Sequence, residues 1–130
     1  MKTIVKFINF LIGFRKLKVE MVAGDYAILV DQTGKFKGVA NAKGIKNDEE
    51  VWGKKRSKIT DVITVSHASY KHSLTVRPVA PCGKNNSWIG ITENNELAVI
   101  EYYDPKHDGA RVLIAANVIG NTEVPLVTVK

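Results

Sequence analysis

The chain has 130 residues, a formal charge of +6 and a pI near 9.5. Its apolar content of 45% excludes disorder as the main state and suffices for one domain, or two very small ones sharing a core. A single cysteine, Cys82 in a turn-like Pro81-Cys82-Gly83-Lys84, excludes an intrachain disulfide and a cysteine-based zinc site, so a secreted, disulfide-stapled scaffold is not expected.

The positive excess is uneven. Residues 1–65 hold 13 Lys and Arg against 7 Asp and Glu, whereas residues 66–130 hold 6 of each. That asymmetry points to a functional face in the first half.

Residues 1–17 read as an amphipathic helix. Lys2, Lys6, Asn9, Gly13 and Lys16 fall on one narrow stripe, and Ile4, Val5, Phe7, Ile8, Phe10, Leu11, Ile12 and Phe14 fill the rest. Such a surface wants cover, from the chain's own core, a second copy or a membrane surface. The run Arg15-Lys16-Leu17-Lys18 is unlike a signal-peptide cleavage site, and the apolar stretch is far short of the ~20 residues needed to span a bilayer. A cytoplasmic protein is expected.

From residue 18 the period becomes that of strands. Lys18–Val22, a turn at Ala23-Gly24-Asp25, Tyr26–Val30, a hairpin connection at Asp31–Lys35 and Phe36–Ala42 follow in order. Residues 43–59 lack alternation and read as a charged loop, with a helical turn at Asn47–Trp52 capped by Asn47. Thr60–Val65, Leu74–Val79, Trp88–Thr92, Leu97–Tyr103, Arg111–Ala115 and Val124–Val129 complete the strands, with Pro78 and Pro125 suggesting edges. Eight or nine short strands at roughly ten-residue intervals suit a barrel or sandwich.

The segment Val22–Ala42 opens with Gly24-Asp25, runs an apolar strand, and ends in the basic hairpin Gly34-Lys35-Phe36-Lys37-Gly38-Val39. It resembles the KOW motif of small SH3-like barrels, and Leu97–Asp104 with Arg111–Ile119 resembles the closing strands of such a barrel. The resemblance implies one or two small SH3-like barrels behind the helix, as a β unit over 18–66 and a second over 67–130. It also implies binding to RNA, DNA or polymerase, as in KOW-containing proteins of ribosomes, transcription factors and transcription modulators.

The chemistry lies in the cations. Lys35, Lys37, Lys43, Lys46, Lys54, Lys55, Arg56 and Lys58 occupy segments expected to be exposed, and an excess of lysine suits phosphate contact more than base reading. Trp52 lies among them as a candidate stacking ring. Phe36 alternates with Lys35 and Lys37 and is expected in the core. His67, His72 and His107 have no spacing that demands a metal, and no cofactor motif or catalytic constellation occurs. The expectation is a non-enzymatic, largely sequence-independent DNA- or RNA-binding protein. The rival is a protein-interaction module that docks a larger partner, such as RNA polymerase, through edge strands or the helix.

Overall fold

The computed structural model describes residues 13–66, 75–82, 87–101 and 117–130. Eight strands follow in chain order: β1 (Arg15–Ala23), β2 (Tyr26–Val30), β3 (Phe36–Asn41), β4 (Glu50–Ser66), β5 (Val76–Pro81), β6 (Trp88–Thr92), β7 (Leu97–Glu101) and β8 (Asn117–Val129). They form one sheet in the order β1-β2-β3-β8-β4-β7-β6-β5, with a further pairing between β1 and β4.

That last pairing closes a ring. β1 pairs with β2, β2 with β3, β3 with β8, β8 with β4, and β4 returns to β1 from Gly53↔Arg15 to Glu50↔Lys18. Farther along, Ile63–Ser66 of β4 leaves the ring and pairs in parallel with β7. The two longest strands, β4 and β8, pair from Gly53↔Val129 to Ser66↔Asn117 and carry the chain from the ring into the β5–β6–β7 layer.

Burial follows this course. Leu17, Val19, Ala27, Leu29, Ala40, Val51 and Val127 form one buried cluster, drawn only from the five ring strands. A second draws on all eight, including Ala23, Ile28, Val39, Val62, Ala80, Ile89, Leu97 and Val124. Successive residues of β2 alternate between the two: Ala27 and Leu29 enter the first, Ile28 and Val30 the second. Apolar side chains on both faces of one strand explain why Tyr26–Val30 reads as an unbroken apolar run. A third, smaller cluster joins Val65, Val76, Ala98 and Ile100.

Several expectations are corrected. No helix occurs among the described residues, and Arg15–Leu17, the end of the expected helix, belongs to β1. Leu17 and Val19 are buried while Lys16 and Lys18 are not, a period of two, not 3.6. Residues 1–12 of that helix lie outside the described residues, as do the expected strand Arg111–Ala115 and His67, His72 and His107. Instead of one or two SH3-like barrels behind a helix, the described strands make a single eight-stranded sheet.

The charged loop over 43–59 is a loop only to Glu49, because Glu50–Ile59 is strand. In place of a helical turn, Asp48 takes φ 65° and donates its N–H to Val19 O, and Val19 N–H donates to Glu49 O. Asn47 caps no helix. Its Oδ1 accepts the N–H of Val22 at 2.8 Å. Pro125 is not at an edge: β8 lies between β3 and β4, its ladder to β3 reduced to the pair Val39↔Leu126.

At Gly38, β3 runs close against β8. Its φ is +143°, and a Cβ there would lie 2.8 Å from both Pro125 O and Val127 Cγ2. Gly38→Ala should therefore lower stability by at least about 2 kcal/mol, combining backbone strain with a clash against main chain. Gly34→Ala, where φ is +85° but nothing lies within 4 Å, should cost only about 1 kcal/mol. Urea unfolding checks the pair, and equal midpoints for the two variants would contradict the close β3–β8 contact.

Candidate nucleic-acid interface

The β2–β3 hairpin positions the first group of cations. Asp31 accepts at Oδ1 from Thr33 N–H (2.9 Å), the Thr33 hydroxyl (2.6 Å) and Lys35 N–H (3.1 Å), while Gly34 N–H donates to Asp31 O. The Thr33 hydroxyl above all, then the Lys35 and Thr33 amides and the Lys37 ammonium, pull the Asp31 carboxyl down to about 2, against partial desolvation acting the other way. Leu29 pairs with Gly38 and Val30 with Phe36, so Lys37 is the extra residue of a β-bulge. The bulge lets Phe36 and Val39, three apart, enter the same core while Lys37 stays exposed.

The second group sits on β4. Val51 and Gly53 are buried, but every residue from Lys54 to Lys58 is exposed. A second bulge lies here: Lys55 pairs with Val127 and Ser57 with Leu126, which leaves Arg56 unpaired in the ladder.

The ring brings parts of these groups together. Arg15, Lys16, Lys37, Lys54 and Lys55 line one open groove of about 640 Å³ at the mouth of the ring, with Gly13, Leu17, Asp31, Gln32, Gly53 and Val127. Five cations there face one carboxylate. Lys35 and Arg56 adjoin this set in the chain, and Trp52, half-buried, is paired across strands with Lys16. Lys130 reaches the same neighbourhood: its N–H donates to Trp52 O, and its ammonium stands 5.5 Å from the Phe14 ring centre.

Other expected residues lie elsewhere. Lys43 and Lys46 follow Asn41, which pairs with Tyr26, whereas Lys37 adjoins the Val30 end of β2. The length of the hairpin, roughly 15 Å, separates them from the groove. Lys58 pairs with Glu123 at 3.4 Å, Lys37 with Asp31 at 3.6 Å and Lys16 with Glu50 at 2.6 Å. Exposed pairs of this kind hold their partners weakly, at about 0–1 kcal/mol. Lys35, Lys43, Lys46, Lys54, Lys55 and Arg56 have no acidic partner among the described residues.

Sequence reasoning missed Arg15 and Lys16 as site residues by assigning them to a helix. The alternation Lys16-Leu17-Lys18-Val19 carried the signal. Phe36 is buried, as its alternation with lysines implied, and Cys82 is half-buried against the main core. Among the described residues, no cluster of three or more His, Cys, Asp or Glu is placed to hold a metal, and no helix is long and apolar enough to cross a membrane.

No family model, no curated protein and no solved structure matches this chain.

Asp31 supplies a test of the hairpin. Its folded-state value lies below the unfolded one near 4, so its ionised form stabilises the fold above that pH, and the contribution is lost as pH falls toward about 2. Asp31→Ala should lower Tm at neutral pH, and the deficit should shrink between about pH 5 and pH 2. A deficit that stays constant across that range, followed by calorimetry, would contradict this role.

Proposed function

We propose that this is a non-enzymatic nucleic-acid-binding protein that grips the phosphate backbone at the ring mouth with little sequence preference. The observation that carries the reading is the convergence of Lys37 from the hairpin, Lys54 and Lys55 from β4, and Arg15 and Lys16 from β1 on one groove. Lys16 and Lys37 hold their exposed acidic partners only weakly, and a polyanion laid along the groove gains by releasing its condensed counterions. The KOW-like character of Val22–Ala42 supports the same partner class, and a role alongside the transcription machinery in the cytoplasm fits it.

The rival, a protein docking by strand addition, has one feature in its favour. Among the described residues, β4 from Lys54 to Val62 pairs on one edge only, with β8, because the ladder to β1 stops at Gly53 and the ladder to β7 starts at Ile63. That edge is nevertheless bulged at Arg56 and again between Ile59 and Val62, and it is lined with lysines. Bulges and charges of this kind discourage strand addition.

Fluorescence anisotropy with a labelled duplex of about 20 base pairs should show affinity falling with salt at a log–log slope of about −4 to −5, if all five groove cations engage phosphates. Replacing Lys37, Lys54 and Lys55 by Ala should flatten the slope by about 2–3 and weaken binding at low salt. The Lys43→Ala, Lys46→Ala double variant should leave both nearly unchanged. Binding that survives the triple substitution intact would remove the groove from the account.

A further inference from the structure

The cations of the ring mouth have a counterpart at the far end of the same strands. Followed away from the mouth, β1 and β4 both lead to a recess of about 300 Å³, lined by Asp25, Asp61 and Glu96 with no Lys or Arg. It lies between two exposed turns, at 24–25 and 93–96, whose backbones touch: a Cβ on Gly24 would lie 3.1 Å from Asn95 O. Glu93 adds a fourth carboxylate on the second turn, and Lys43 shares a neighbouring recess with Asp25 without pairing with it. Among the described residues, Asp25, Asp61, Glu93 and Glu96 make no ion pair, and neither do Lys54 and Lys55.

The two ends cannot satisfy each other within one copy. Leu17 to Ala23 on β1, and Lys55 to Asp61 on β4, each span about 20 Å of strand. That exceeds the Debye length of about 8 Å at physiological salt. Between copies the same charges can meet. We infer that the ring mouth of one copy receives the acidic turn pair of a second, with Lys54 and Lys55 facing Asp25, Asp61 and Glu96. Different surfaces meet in such a head-to-tail contact, so association grows with concentration or closes as a ring. The net charge of +6 opposes approach at long range and keeps the contact weak. A second copy and a polynucleotide then compete for the mouth. That competition rests on the nucleic-acid reading above; the contact itself does not.

Sedimentation velocity of the full chain at about 0.05 M and about 0.5 M salt tests the contact. Association at the lower salt should weaken at least about tenfold at the higher, as exposed ion pairs do. A Lys54→Ala, Lys55→Ala variant and an Asp25→Asn, Asp61→Asn, Glu96→Gln variant should each remain monomeric alone. Mixed in equal amounts they should form a heterodimer, because each keeps the end the other lacks, and this also shows that both are folded. The lysine variant carries less net charge, so its loss of association would not come from overall repulsion. A duplex of about 20 base pairs should dissociate the wild-type assembly. A wild type that is monomeric at every concentration in low salt, association that survives either set of substitutions, or a mixture that stays monomeric would overturn the inference. Duplex binding would then still stand by itself. Association without any duplex binding would instead remove the nucleic-acid reading and leave the head-to-tail contact in place.

Discussion

The structure depends on β2 being buried on both faces. Ala27 and Leu29 fill the ring, Ile28 and Val30 fill the layer between ring and outer strands, and all four are at most 1% exposed. Burying side chains of this size stabilises by about 1.5–3 kcal/mol each for the larger ones. The greater consequence is register. A slip of one residue would exchange the two sets between cores of different volume, so β2 admits a single alignment with β1 and β3.

The position of the cations follows from that alignment. The Val30 end of β2 runs into the Asp31-capped turn and sets the place of Lys37. The antiparallel partner β1 begins at the same end, where Arg15 meets Gly53 of β4. Three segments distant in sequence thus open onto one mouth. The bulge at Lys37 turns its side chain outward between buried Phe36 and Gly38, and Arg56 is the extra residue of a second bulge within the exposed stretch of β4. The open stretch of β4 gains a second benefit, since the same charges and bulges blunt its free edge against unwanted strand pairing.

Parts of this were legible in the sequence for physical reasons. Tyr26–Val30 and Trp88–Thr92 are strands with the bounds their apolar runs imply, because both are flanked by strong turn chemistry. The middle of β4 was not legible. Lys54 to Lys58 are exposed on both faces of the strand, so the alternation that marks a half-buried strand is absent, and charge density mimics a loop. The onset of β1 was obscured by the apolar residues before it, where a helical stripe and a strand alternation compete. Within the candidate site, Lys37, Lys54 and Lys55 line one groove. Lys43 and Lys46, equally close in sequence, fall at the other end of the hairpin, a separation that only the pairing register specifies.

The most direct measurement of this account is the set of methyl–methyl NOEs from β2 in selectively labelled protein. Leu29 should show contacts to the group of Leu17, Val51 and Val127, and Ile28 to that of Ile89, Ile91 and Leu97, with little crossing between the sets. Leu29 and Ile28 sharing one set of neighbours would contradict the two-sided strand, and with it the ring that gathers the cations at its mouth.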